Sequence, residues 1–411
     1  MQPGFFYERS WQLPAARVGL SGMRQLRFPS DLDHGRFLAR YWQKQPLLMP
    51  GAWPGFQSPI SPEELAGLAC EDGVESRLVM ERGGSHPWEL RLGPFSEGDF
   101  STLPKDGWTL LVQDVDKHLP QLAAVLEPFR FVPDWRIDDL MVSYAPPGGS
   151  VGPHLDAYDV FLLQARGRRR WRIAHDGFDP EDCIDGIDLR ILQHFTPQQE
   201  WELAPGDILY LPPGVAHHGV AIDDCMTFSI GFRAPRQYDL VHAWLEDALA
   251  GTDRSRRYSD PGLQPREGPG LIDARALGKM RDLLRTRIDS SDAAMNRWLG
   301  RFLTEPKEHL QVAPRERQLS TGAFLQRWRQ HGAVQCCSAC RWAYADETGG
   351  GRVLFVDGTE HPLPPSLAPL AGLLCDDRRV PVDNSTAQQP PAVGLLCELY
   401  NRGCLDFGDY E

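Results

Sequence analysis

What this chain of 411 residues lacks narrows it first. No stretch approaches the roughly 18 consecutive apolar residues of a transmembrane helix, so a spanning segment is excluded. The opening MQPGFFYERSWQLPAARVGL carries charges and prolines where a secretory leader places its apolar run, and the expected location is the cytoplasm. A basic excess is missing too: 43 Lys plus Arg against 56 Asp plus Glu leave a net charge of −13. That argues against a general nucleic-acid footprint and favours a cationic protein partner. The nine cysteines make no even disulfide framework, which suits a reducing compartment. Internal repeats and low-complexity domains are absent as well. With 42% hydrophobic and 24% charged residues the composition is ordinary for a globular protein, and the length predicts two or three domains.

Four regions follow from patterning. Helical spacing of Phe37, Leu38, Tyr41 and Trp42 precedes a short apolar strand at 46–50. From about 75 to 235, short apolar runs alternate with Gly/Pro punctuation, at 108–112, 140–144, 158–163, 171–173, 208–211 and 226–232. That predicts a mainly β sandwich or barrel. Beyond Ala234-Pro235 the period turns helical, with stripes at Leu240, Ala243, Trp244 and Ala248 and at Leu277, Met280, Leu283, Leu284 and Ile288, separated by a loop at 251–270. The last hundred residues mix helices at 321–329 and 392–401 with strand-like runs at 334–344 and 353–356. Residues 311–411 hold nine arginines, no lysine and twelve acidic residues, a balance against phosphate binding.

The chemistry concentrates in two segments. In GGSVGPHLD, His154 and Asp156 stand two apart, so an extended backbone turns both to one face. Some 60 residues on, PGDILYLPPGVAHHG sets a strand, a rigid Pro-Pro-Gly turn and then histidine. Two histidines and one carboxylate form the facial set that suits Fe(II) oxygenases, with positions left for a 2-oxoacid and O2. Spacing alone leaves His217 and His218 both open. In the run Arg166, Arg168, Arg169, Arg170, Arg172, alternation puts Arg168, Arg170 and Arg172 on one face and Arg169 with Trp171 on the other. One inward arginine suits a buried carboxylate; a solvated face or an RNA contact are the blander readings. Tyr158 also shares the face of Asp156 and is left without a role. Cys337-x-x-Cys340 beside Cys336 hints at zinc but has no partner pair, so buried thiols are expected.

The segments GGSVGPHLDAYDVFLLQARGRRRW and PGDILYLPPGVAHHGVAI…FSIGFRAP resemble the JmjC-type ribosomal oxygenases. The match is dense from about 140 to 235, looser over 37–53, and downstream persists as domain order. Within the family it is nearest the bacterial arginine hydroxylases of large-subunit ribosomal protein 16. The resemblance implies a double-stranded β-helix (JmjC/cupin-like) barrel over 1–235, a helical dimerisation segment at 236–310 and a winged-helix-like domain at 311–411. It implies Fe(II) held by His154, Asp156 and His217. It also implies 2-oxoglutarate anchored by Arg169 with Ser143 nearby, and O2 as co-reactant. The expected partner is a cationic ribosomal protein, hydroxylated on arginine by a homodimer, with no direct nucleic-acid or membrane contact. Two alternatives stand beside this: histidine hydroxylation of another ribosomal protein, and a non-catalytic β-helix with a metal-stabilised pocket.

Overall fold

Residues from 75 to 235, joined by a short strand at 47–49, pair into two antiparallel sheets. The computed structural model describes residues 26–407 except 30, 31, 84–87, 188, 251, 262–271 and 289–290. The N-terminal stretch read for a leader, half of the 251–270 loop and the Ile288 side chain lie outside the described residues. The strands are β1 (Leu47–Met49), β2 (Ser76–Glu81), β3 (Trp88–Leu92), β4 (Trp108–Val112), β5 (Ile137–Ala145), β6 (Asp159–Arg166), β7 (Arg169–Ala174), β8 (Gln199–Leu203), β9 (Ile208–Leu211), β10 (Ala216–Ala221) and β11 (Cys225–Phe232). Eight form one sheet in the order β1-β9-β6-β11-β5-β4-β2-β3, and β10-β7-β8 form the other. Helices α1 (His34–Arg40), α2 (Pro62–Leu68), α3 (Glu97–Ser101) and α4 (Val115–His118) interrupt the first half.

Alternation decides what each face does. Phe161 and Leu163 of β6, Phe228 and Ile230 of β11, and Leu140 and Val142 of β5 point outward into a large core with Phe37 and Tyr210. The other face of β6 gives Val160 and Leu162, which pack with Trp171, Ile173 and Leu203 of the smaller sheet. The two sheets therefore enclose an inner face, the double-stranded β-helix layout expected from sequence. Cross-strand register carries the inner face along three rows: Ser143, Thr227 and Gln164; Met141, Ser229 and Leu162; Asp139, Gly231 and Val160.

Downstream come α5 (Gln237–Ala250), α6 (Ala274–Ile288), α7 (Asp292–Thr304), α8 (Thr321–His331), β12 (Ala333–Cys336), β13 (Trp342–Asp346), β14 (Arg352–Val356), β15 (Thr359–Leu363), α9 (Pro369–Cys375), β16 (Arg379–Pro381), α10 (Pro390–Asn401) and β17 (Leu405–Asp406). Contacts divide the chain into two compact units: Met1–Ala234 with Pro306–Arg341 and Arg378–Glu411, and Pro235–Glu305 with Trp342–Asp377. In the first, the small sheet β16-β12-β17 lies with α8 and α10, whose Phe324, Trp328 and Leu396 are buried. Lys307 reaches back to both carboxylate oxygens of the fully buried Asp114 at 3.0 Å, and Arg341 to Asp138 at 2.9 Å. In the second, β13-β14-β15 pack against α7, where Gly300 meets Phe355 so closely that a Cβ would sit 2.2 Å from its ring.

Two expectations change in detail. The run 334–344, read as one strand, is broken: the Cys340 N–H donates to the Cys337 carbonyl at 3.2 Å, closing a turn after β12. None of the nine cysteines, all of them described, is in a disulfide. On α5 the predicted stripe of Leu240, Ala243, Trp244 and Ala248 is half-buried, with Trp244 edge-on to Trp298 at 5.1 Å. A second stripe, Tyr238, Val241, Leu245 and Leu249, is exposed.

Candidate active site

The structure brings together the side chains on which the sequence reading turns. His154 and His217 face each other across an isolated antiparallel bridge, each N–H donating to the other's carbonyl at 3.0 and 2.9 Å. Local backbone fixes both rings. His154 Nδ1 lies 2.9 Å from the Gly152 carbonyl, and His217 Nδ1 lies 3.0 Å from that of Val215. A carbonyl only accepts, so each Nδ1 carries the proton and each Nε2 is left with its lone pair. Gly152 supplies its carbonyl at a φ of 80°, and a Cβ there would meet Ile191 at 2.7 Å, which accounts for glycine at this turn. The Gly214 N–H donates to the Asp156 backbone carbonyl at 2.9 Å, tying the Pro-Pro-Gly turn to the other segment. One donor atom each from His154, Asp156 and His217 then falls within 4.8 Å of the others, with His217 Nε2 at 3.6 Å from Asp156 Oδ2.

Burial keeps the His217 imidazole neutral. Burial, reinforced by His154 and opposed by Asp156, pushes His217 down to about 4. His218 is on the other face of β10, its ring edge-on to Phe195 at 6.2 Å. Two imidazole nitrogens and a carboxylate form a donor set that fits Fe(II).

Arg169 is 3% exposed and lies with Trp171 on the inner face of β7, whereas Arg168, Arg170 and Arg172 are more exposed and pair with Glu200, Glu202 and Asp223. Its Nη2 donates to the Gly219 carbonyl at 3.1 Å, and its guanidinium carbon is 5.2 Å from the Trp171 ring centroid. Burial pushes the guanidinium below its usual range, with Cys225 opposing. An arginine does not give up its proton in a protein, so this cation is buried with unused bonding capacity; Nε has no partner among the described residues. Ser143 is buried in the inner row beside Thr227, bonded only loosely to its carbonyl at 3.4 Å.

Sequence reasoning missed Asp139. It lies on the inner row with Gly231, above which its Oδ1 and the Tyr158 ring converge: a Cβ on Gly231 would be 3.5 and 3.9 Å from them. Burial raises this carboxyl to about 7, with Lys307 opposing and Asp114 and Asp138 adding. No local motif marks it, because β5 reaches the site only through its pairing with β11.

The JmjC domain family matches residues 124–240, and the ROXA-like winged helix matches 282–406. Ribosomal protein uL16 3-hydroxylase of Escherichia coli is 41% identical over 71% of this chain and 76% of its own length. A probable ribosomal oxygenase of Haemophilus influenzae is 37% identical over 57% of this chain and 56% of its own. Among solved structures, Escherichia coli YcfD, a ribosomal oxygenase in complex with cobalt and 2-oxoglutarate, aligns with a TM-score of 0.78 at 34% identity. That alignment covers 93% of this chain and 99% of the other.

Proposed function

The chain belongs to the JmjC ribosomal oxygenases, and from that membership we propose that it hydroxylates an arginine side chain of ribosomal protein uL16. It is an Fe(II)- and 2-oxoglutarate-dependent enzyme. The observation that carries the site assignment is the convergence of His154, Asp156 and His217 within 4.8 Å, on the same inner face as a buried arginine with bonding capacity to spare. His154, Asp156 and His217 would hold iron, and Arg169 with Ser143 would hold 2-oxoglutarate. With O2, that pair supplies the oxidising power to convert a C–H bond into C–OH.

The protein's own work is placement. The Gly152 and Val215 carbonyls hold the two imidazoles as donors toward one point. Arg169 neutralises the distal carboxylate of the cosubstrate in a site closed to water. Asp139, with the Tyr158 ring beside it, receives the guanidinium of the target arginine. That pairing favours arginine over histidine at physiological pH, since a guanidinium is always charged. A net charge of −13 favours encounter with a basic ribosomal protein in its free form, in the cytoplasm, before RNA covers it.

In this reading residues 1–235 form the oxygenase part, 236–310 a helical segment that joins two copies, and 311–411 a winged-helix-like part that faces protein rather than nucleic acid. Incubating the purified protein with Fe(II), 2-oxoglutarate and uL16 peptides, followed by tandem mass spectrometry, tests the substrate. One added oxygen on arginine is expected. The same mass on histidine, or no change on uL16, overturns the substrate and leaves the oxygenase family intact.

A further inference from the structure

The inner face holds a second side chain with the same unmet need as Arg169. Trp171 is 5% exposed, and its indole Nε1–H has no hydrogen-bond partner among the described residues. A buried indole N–H normally finds an acceptor, and an orphan calls for an explanation. Here two orphans, Arg169 Nε and Trp171 Nε1, come from neighbouring inward positions of one strand. Both are donors. The complement of two donors on neighbouring inward residues, one of them cationic, is a group that only accepts and is negative: a carboxylate.

Register says where such a group lies. β7 and β10 pair so that Ile173 opposes His217, Trp171 opposes Gly219 and Arg169 opposes Ala221. The Arg169 side chain reaches back to the Gly219 carbonyl, so its guanidinium lies at a level two residues, or about 7 Å, along the strands from that of His217. The Trp171 ring borders that interval, its centroid 5.9 Å from the His217 ring and 5.2 Å from the Arg169 guanidinium carbon. A molecule with one end at the His154, Asp156 and His217 group and its other end at Arg169 passes along this indole.

Opposite Trp171 stands Gly219. Its backbone is ordinary strand, so conformation does not require glycine, and glycine weakens a strand. Space does require it. A Cβ at 219 would lie 2.7 Å from Arg169 Nε and 2.7 Å from Trp171 Cη2 and Cζ3, against a rigid ring and a guanidinium that are both buried.

We propose that Trp171 is a positioning residue for the cosubstrate: its indole N–H donates to the distal carboxylate that Arg169 neutralises. Gly219 is the clearance that lets both donors lie over β10. This rests on the reading that 2-oxoglutarate spans from the metal group to Arg169. It adds a neutral, direction-setting bond to the charge. Packing alone would be served by phenylalanine.

The test uses the full chain loaded with Zn(II), which binds such donor sets without redox chemistry, so nothing turns over. With 15N-tryptophan labelling, the indole resonance missing from Trp171→Phe is expected to move downfield when 2-oxoglutarate is added to the wild-type protein. Calorimetry should show Trp171→Phe and Gly219→Ala each binding 2-oxoglutarate about tenfold more weakly, the loss of one hydrogen bond to a charged group, at unchanged Zn(II) affinity. An unmoved Trp171 resonance in protein that has bound 2-oxoglutarate, or wild-type binding by Trp171→Phe, overturns the role of the indole. Wild-type binding by Gly219→Ala overturns the clearance. Wild-type binding by Arg169→Ala removes the underlying reading instead, because the cosubstrate would then lie elsewhere.

Discussion

Arg169 and Asp139 are both buried charges, and their environments assign them opposite partners. Arg169→Ala is expected to raise the apparent KM for 2-oxoglutarate by more than tenfold, since losing one side of a buried charged pair costs about 2–5 kcal/mol. Arg168→Ala should leave that KM unchanged, because Arg168 is exposed and already paired with Glu202 and Asp223. Steady-state kinetics with varied 2-oxoglutarate separates the two. Asp139 has a carboxyl raised to about 7, chiefly by burial, so it is half-ionised near neutrality. A cation needs it ionised. Peptide KM should therefore fall as pH rises through about 7, and Asp139→Asn should flatten that dependence. His154, Asp156 and the His217-His218 pair were legible in the sequence as local patterns, the family resemblance pointed to His217 within that pair, and strand parity set Arg169 apart from its neighbours. Asp139, Gln164 and Thr227 were not, since they join the inner face only through cross-strand register.

Apolar continuity decided which elements could be read. β4, β9 and β11 are buried along nearly their whole length and stood out as apolar runs. β8, Gln199–Leu203, keeps most of its side chains in water and left almost no hydrophobic signal. β10 carries the histidine pair and read as the end of a turn. The break after β12 was hidden because a turn through small residues and cysteine keeps the composition of a strand. A different kind of cohesion ties the segment from Pro306 to the strands: Lys307 meets Asp114, which is fully buried and also lies near His309. Lys307→Met should cost about 3 kcal/mol in denaturant unfolding, near the low end for orphaning a buried charge, because Lys117 and His309 still neighbour Asp114. A change within 0.5 kcal/mol would mean that Asp114 relaxes to solvent.

At the scale of the molecule, two apolar stripes stand in water. Tyr238, Val241, Leu245 and Leu249 line α5, and Leu277, Met280 and Leu284 line α6. Contiguous exposed apolar surface of this kind marks an association site. Light scattering at micromolar concentration is expected to give twice the chain mass, and Val241→Glu with Leu245→Glu should return it to the single chain. A monomeric wild type would leave those stripes without the partner proposed for them. The unit that contains the active site is itself assembled from three separated stretches of chain. Its carboxylates are made early and their long-range cations late: 193 residues separate Asp114 from Lys307, 203 separate Asp138 from Arg341, and 244 separate Asp134 from Arg378. At about 5–20 residues per second, Asp114 waits about 10–40 seconds on the ribosome for its lysine. The active-site unit of this chain therefore stays incomplete during most of translation, and its long-range ion pairs close only once nearly all of the chain has been synthesised.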